Sequence, residues 1–241
     1  METTSPSTAK TTVFNLIILD ESGSMESVCE QTISGCNETL ATVRAATAAN
    51  PDKLHSLVSI YAFQSGAGEP SRYLVKNANP NEVKNITSND YMPLGCTPLL
   101  DAVGSTMSEL MTVAATHEDA TAIVTIITDG YENSSRQYSW QQVARIISQA
   151  KELGWTINLI GANIDVDAMA SKINIDNRMA FTADDEDVNR MFGDFNDCSQ
   201  KRYSAISDED FSLSKEERIR LRKMDSKDFF KNNNTSSRSK F

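Results

Sequence analysis

The chain has 241 residues, of which 39% are hydrophobic and 23% charged, and its formal net charge is −10. This length fits one large domain, or one domain with a tail, and the negative charge argues against nucleic acid as a partner of the core domain. No apolar run reaches the roughly 18 residues of a membrane span, and the polar N-terminus lacks the apolar core of a signal peptide. We therefore expect a cytoplasmic protein that does not enter a membrane.

Strands and helices alternate along the predicted chain. Unbroken apolar segments predict strands at 12–20, 55–64, 121–130, 156–163 and 178–183, with 72–76 as the hairpin partner of the second. Apolar residues at intervals of three and four predict helices within 33–50, 99–111, 143–154, 165–173 and 185–206. Such alternation predicts a doubly wound α/β fold: a mostly parallel sheet of about six strands, with one antiparallel edge strand and helices on both faces.

The predicted domain occupies residues 11–206, after a flexible N-terminal arm at 1–10. A charged, partly disordered tail is expected at 207–241, and residues 214–241 hold nine Lys or Arg and four Asp or Glu. One interpretation of the tail is a solvated helix with a disordered end. The other is a basic docking segment for an acidic partner or nucleic acid. The low apolar content predicts that removing the tail leaves the core fold intact.

Soft metal ligands are scarce in the sequence, which contains four cysteines and two histidines. The cysteines show no C-x-x-C spacing and are too few for a disulfide framework. They are Cys29, Cys36, Cys96 and Cys198. We therefore expect free thiols and no zinc site of the usual His and Cys type.

Two of the predicted strands end in aspartate. The first runs into Asp20, with Ser22 and Ser24 just beyond it, and another ends at Asp129. If these strands are neighbours, both carboxylates lie in one crevice at the carboxyl edge of the sheet, where ligands bind in doubly wound folds. Thr97 lies between a glycine and a proline just before a predicted helix, so it can bring a third hydroxyl to the same edge.

Carboxylates and hydroxyls are hard oxygen ligands, which suit Mg²⁺, Mn²⁺ or Ca²⁺ better than a thiophilic metal. Three neutral hydroxyls and two carboxylates would leave such an ion short of negative charge. The site therefore invites a further carboxylate from outside.

Three short motifs resemble the metal-ion-dependent adhesion site of the von Willebrand factor A family. They are D-x-S-x-S at 20–24, the threonine loop G-C-T-P-L at 95–99, and T-D-G at 128–130. The resemblance covers about residues 11–205 and implies a compact bacterial-type cytoplasmic form that binds Mg²⁺, with Mn²⁺ or Ca²⁺ as alternatives. It implies that Ser22, Ser24 and Thr97 contact the metal directly, and Asp20 and Asp129 directly or through water. Cys96 stands where close relatives often have glycine, and the acids of the integrin-type extra site are missing, so one metal is expected.

Each of these residues also has an ordinary structural interpretation. Ser22, Ser24 or Thr97 alone could be a helix N-cap, and the Asp129–Gly130 pair could form a turn. Glu21, inside the first motif, is expected to be a solvated side chain. The conjunction of three segments favours metal binding.

The resemblance implies a protein–protein interaction module whose partner supplies an Asp or Glu to the metal. By family analogy the partner is an AAA+ ATPase, or a stress-response or tellurite-resistance-type protein. The enzymatic alternative is a metal-dependent phosphoryl-transfer hydrolase of the haloacid dehalogenase-like type. Such enzymes need a second carboxylate two residues after the first, where this chain has Ser22. We find no complete catalytic constellation and do not expect an enzyme.

Overall fold

The computed structural model describes residues 10–66, 68–162, 164–182, 184–227 and 229–230. The strands are β1 (Thr11–Asp20), β2 (Leu54–Phe63), β3 (Arg72–Ala78), β4 (Ala120–Thr128), β5 (Thr156–Ala162) and β6 (Asn177–Phe181). The α-helices are α1 (Cys29–Ala49), α2 (Leu99–Ala114), α3 (Trp140–Glu152), α4 (Val166–Lys172), α5 (Asp185–Ser207) and α6 (Lys215–Ser226), and a 3-10 helix (Gly23–Val28) precedes α1.

The strands form one six-stranded sheet in the order β3-β2-β1-β4-β5-β6. Every neighbouring pair is parallel except β2 and β3, which are antiparallel. The predicted fold class is confirmed, including the antiparallel edge strand. None of the described helices is long and apolar enough to cross a bilayer.

Strand β1 is buried along its whole length because helices cover both faces of the sheet. Its residues Val13, Ile17 and Leu19 belong to one apolar cluster, to which α1 and α5 contribute. Its residues Phe14 and Ile18 belong to a second cluster, formed with α2, α3 and α4. Burial on both faces explains why β1 is an unbroken apolar run and not an alternating one.

The strand order reverses beside β1. The chain leaves β1 for β2 on one side and later returns to place β4 on the other side. Leu19 of β1 pairs with Ile127 of β4, so both strands end at the same level. Asp20 and Asp129 therefore emerge together at the point where a doubly wound sheet opens a crevice.

Helix α6 lies at the opposite end of the sheet, near the amino ends of the parallel strands, and contacts α3, α5 and β5. Its residue Arg222 is fully buried against Asp119, and Phe229 beyond the helix is 6% exposed. The helical part of the tail interpretation is confirmed, but the helix is not merely solvated. The domain limit at 206 and the dispensability of 207–241 stay predictions, and these contacts argue against the second. Of the predicted arm at 1–10 only Lys10 is described, and 231–241 lie outside the described residues.

Candidate metal centre

The turn after β1 brings its polar groups directly against the end of β4. Asp20 accepts hydrogen bonds from the Ser22 amide on Oδ1 (2.8 Å) and from the Thr128 hydroxyl on Oδ2 (2.5 Å). Ser24 Oγ donates to Asp129 Oδ1 at 2.5 Å, and it lies 3.2 Å from Ser22 Oγ. Two carboxylates and two serine hydroxyls therefore form one connected group.

Thr97 reaches the same group from the loop before α2. A Cβ atom added at Gly130 would lie 2.9 Å from Thr97 Oγ1 and 3.6 Å from Asp20 Oδ2, so glycine leaves room between them. The Thr97 amide donates to Asn133 Oδ1 at 2.8 Å, and the Asn133 amide donates back to the Thr97 carbonyl at 3.2 Å. The structure thus brings together all five residues that the sequence singled out.

The threonine loop depends on an unusual backbone at Gly95. Its φ is +81°, and a Cβ there would lie 2.4 Å from the Ser65 carbonyl oxygen. The next residue, Cys96, pairs with Ser65 through two backbone hydrogen bonds of 2.7 and 3.1 Å. The Cys96 side chain is exposed, and all four cysteines are free. Cysteine at this position is therefore accommodated, because only its backbone takes part in the pairing with Ser65.

Helix capping does not account for the hydroxyls. Ser22 occupies the N-cap position of the 3-10 helix, but its side chain makes no capping hydrogen bond. The N-cap of α2 is Pro98, not Thr97. The backbone amide of Leu100, in the first turn of α2, instead donates to Glu132 Oε2 at 2.9 Å. The hydroxyls are therefore not used to begin these helices, and the capping interpretation loses its basis here.

The two carboxylates have no cationic partner among the described residues. Burial raises the pKa of Asp20 to about 6, although hydrogen bonds from Thr128 and Ser22 oppose the shift. Burial also raises the pKa of Asp129, opposed by the Ser24 hydrogen bond. No Lys or Arg in the described ranges forms an ion pair with either carboxylate. Buried like charges without a cation are costly, and a bound divalent ion would remove that cost.

The donor set fits a hard cation. Within the part of the chain that the structure describes, no three His, Cys, Asp or Glu side chains converge on a possible metal position. The candidate centre instead combines two carboxylates with three hydroxyls, all oxygen donors. Mg²⁺ and Ca²⁺ accept neutral oxygen ligands and retain water, so a site with few carboxylates suits them.

The expectation for Glu21 is wrong. Its side chain is buried, 1% exposed for the residue, because Arg72 donates to both of its carboxylate oxygens at 2.6 and 3.2 Å. The same carboxylate accepts from the Met92 amide at 2.8 Å. Glu21 therefore ties the turn after β1 to β3 and to the loop before Thr97.

Two further residues support the centre and were missed from the sequence. Tyr91 is buried and donates from its hydroxyl to the Asp20 carbonyl at 2.6 Å. Thr128 donates to the Asp20 carboxylate and also accepts from the Gly130 amide at 3.1 Å. Thr128 could have been found from its position in the T-D-G motif. Tyr91 carries no local signal, because its partner lies 71 residues away.

Comparison with known proteins agrees with this geometry. A family model described as the von Willebrand factor type A domain matches residues 16–196. A comparison with curated protein sequences gave no match.

Solved structures share the fold at low sequence identity. A von Willebrand factor type A protein from Catenulispora acidiphila has 15% identity and a TM-score of 0.54, over 80% of this chain and 43% of that one. The pilus adhesin SpaC from Lactobacillus rhamnosus GG has 13% identity and a TM-score of 0.59, over 81% of this chain and 30% of that one. The vWF domain of the type V pili tip protein Mfa5 from Porphyromonas gingivalis has 9% identity and a TM-score of 0.53, over 80% of this chain and 96% of that one. The chain thus spans less than half the length of the first two.

The family match covers most of the chain, including β1, the threonine loop and the end of β4. Domains of this family are mainly adhesion and interaction modules, which agrees with the expectation that the chain is not an enzyme. Nothing in these matches supports the haloacid dehalogenase-like alternative. The chain belongs to the von Willebrand factor type A domain family.

Proposed function

We propose that this domain binds a protein partner through a divalent cation. Mg²⁺ is the proposed ion, with Mn²⁺ or Ca²⁺ as alternatives, and its ligands are Asp20, Ser22, Ser24, Thr97 and Asp129. One observation carries the proposal. Two buried carboxylates and three hydroxyls from three separate segments meet at the crevice of the sheet, and no cation of the described chain pairs with the carboxylates.

When bound, the ion would supply a Lewis-acid position for a carboxylate oxygen of the partner. The residues of this chain would set the charge of that position. Asp20 and Asp129 would be its only charged ligands, since the three hydroxyls add no charge. A partner Asp or Glu would then meet a centre that is not already crowded with anions. Carboxylate binding of this kind is directional, which suits an anchor at the middle of an interface.

The names of two similar structures support a binding role. SpaC is described as a pilus adhesin, and Mfa5 as a pili tip protein. For this chain we retain the partners implied by its sequence: an AAA+ ATPase, or a stress-response or tellurite-resistance-type protein, in the cytoplasm. Affinity purification of the tagged chain, in Mg²⁺ and in EDTA, tests this. Recovery of a partner of one of these classes only in Mg²⁺ is the expected result, and equal recovery in EDTA would contradict it.

Metal binding can be tested without a partner. We expect calorimetric titration with Mn²⁺ to give one ion per chain, and Asp129→Ala to weaken binding by about 100-fold or more because a charged ligand is lost. Asp52→Asn is the matched control, since Asp52 is an exposed carboxylate in the turn between α1 and β2. Equal Mn²⁺ affinity in wild type and Asp129→Ala, or a stoichiometry of two, would contradict the proposed centre.

A further inference from the structure

Exposed apolar side chains border the candidate metal centre. The described residues include six large hydrophobic side chains that are strongly exposed, and three of these lie in the loops that contain Thr97 and Asp129. They are Met92 (54% exposed), Leu94 (48%) and Tyr131 (56%). Single exposed hydrophobic residues are ordinary, but a group beside a polar crevice is typical of a binding surface.

The backbone around two of these side chains is held firmly. The Met92 amide donates to Glu21 Oε1 and the Leu94 amide to the Glu21 carbonyl, both at 2.8 Å. Arg72, which is bound to Glu21, also donates to the Asp90 carbonyl at 2.9 Å. These bonds hold the main chain of Met92 and Leu94 beside the turn after β1. Both residues are therefore attached next to the crevice while their side chains are exposed.

Tyr131 stands on the other side of the crevice, two residues after Asp129. Its hydroxyl accepts a hydrogen bond from the Asp165 amide at 2.8 Å, which fixes the position of the ring while leaving it 56% exposed. Tyrosine and methionine are both enriched in protein interfaces, and tyrosine offers a large contact area at modest entropic cost. The crevice is thus bordered on two sides by apolar groups in fixed positions.

We propose that Met92, Leu94 and Tyr131 form an apolar rim that contacts large apolar residues flanking the metal-bound carboxylate of the partner. The inference rests on the proposed function and adds to it the chemistry of the partner segment. The bound ion selects a carboxylate, and the rim selects the residues beside that carboxylate. A segment of the type apolar–Asp–apolar fits both features, whereas a carboxylate in a polar segment would leave the rim exposed to water.

Synthetic peptides test this selection directly. Three peptides of equal length would carry Leu-Asp-Leu, Ser-Asp-Ser or Leu-Asn-Leu at their centre, and their binding to the full chain would be followed by NMR titration in saturating Mg²⁺. We expect the Leu-Asp-Leu peptide to bind about tenfold more tightly than Ser-Asp-Ser. The Leu-Asn-Leu peptide should bind far more weakly, and EDTA should abolish binding of both aspartate peptides.

The outcomes separate the two proposals. Equal, Mg²⁺-dependent binding of Leu-Asp-Leu and Ser-Asp-Ser would overturn the rim and leave the metal-dependent function standing. Equal binding of Leu-Asp-Leu and Leu-Asn-Leu, or binding that persists in EDTA, would overturn both. A Kd above about 1 mM for Leu-Asp-Leu would also overturn the rim, because its contacts would then add too little affinity to select a partner.

Matched variants locate the effect. The double substitution Met92→Ser and Leu94→Ser should weaken Leu-Asp-Leu binding about tenfold, leave Ser-Asp-Ser binding unchanged, and leave Mn²⁺ affinity unchanged. The control is Leu221→Ser with Met224→Ser, since those side chains are 44% and 61% exposed on α6 at the opposite end of the sheet. Equal loss of Leu-Asp-Leu binding in both doubles, or none in the first, would overturn the rim.

Discussion

The two ends of the sheet treat buried carboxylates in opposite ways. At the carboxyl end, Asp20 and Asp129 face hydroxyls and have no cation from the described chain. At the amino end, Arg222 donates to Asp119 at 2.9 and 3.0 Å and to Glu209 at 2.5 and 2.8 Å. Arg222 is fully buried between them, whereas no described Lys or Arg forms an ion pair with the carboxylates at the other end.

The pKa values follow this difference. Burial raises the pKa of Asp20 to about 6, and hydrogen bonds only partly oppose it. Burial also acts to raise the pKa of Asp119, but hydrogen bonding and charge from Arg222 outweigh it and the net shift is downward. The chain supplies its own counter-ion where the carboxylate has a structural role. Where it supplies none, an ion from solution can take that position.

The largest effect should come from removing the internal cation. We expect Arg222→Ala to lower the free energy of unfolding by about 3–5 kcal/mol, because Asp119 and Glu209 would lose their hydrogen-bonded cation and keep only the longer ion pairs to Arg218, at 3.6 and 4.0 Å. Urea denaturation measures the loss. Arg220→Ala, an exposed position on the same helix, should change stability by no more than about 0.5 kcal/mol. Similar stability of the two variants would mean that the buried ion pairs of Arg222 add little to the stability of the fold.

The same substitution at both ends should give opposite results. Asp119→Asn should lower the free energy of unfolding by about 1–3 kcal/mol because a charged partner of Arg222 is lost. Asp20→Asn should leave stability in EDTA within about 1 kcal/mol of wild type or raise it, while abolishing the stabilisation by Mg²⁺. Thermal melting with and without Mg²⁺ measures both. An unfolded Asp20→Asn protein would show that Asp20 is structural.

The smallest effect is a difference in pH dependence, measured by urea denaturation in EDTA. The lowered pKa of Asp119 stabilises the fold above its usual value near 3.8, and this contribution is lost as the pH falls further. The raised pKa of Asp20 has the opposite sign: its contribution is full below pH 3.8 and is lost as the pH rises through about 6. Asp119→Asn should remove the first dependence and Asp20→Asn the second. Unchanged profiles in the variants would contradict these assignments.

The sequence predicted the features that local patterns encode. Unbroken apolar runs located β1 and β4, and the aspartates at their ends predicted a shared crevice, because parallel neighbours end at one edge. The proximity of Thr97 followed from the resemblance and not from the pattern alone. Thr97 is held there by a hydrogen bond to the Asn133 side chain, in the space that Gly130 leaves free. Both residues belong to a different loop from Thr97.

Features that depend on distant charges were missed. Glu21 was expected to be solvated because its partner, Arg72, lies 51 residues away. The helix in the tail was expected to be solvated because its composition is charged, and the burial of Arg222 was not predicted. Arg222 is buried because it pairs with Glu209 and with Asp119, which lies 103 residues earlier, just before β4. A single sequence does not show which charges will meet.

Hydrogen bonds in both directions connect the first turn of α2 with the loop after β4. Glu132 accepts from the Leu100 amide at 2.9 Å, while Asp101 accepts from the amides of residues 136–138 at 2.8 Å each. A displacement of this loop must therefore carry the start of α2 with it. The helix has 16 residues, a length of about 24 Å, and it ends five residues before Asp119. Helix α2 is therefore a rigid connection between the crevice and the far end of the molecule.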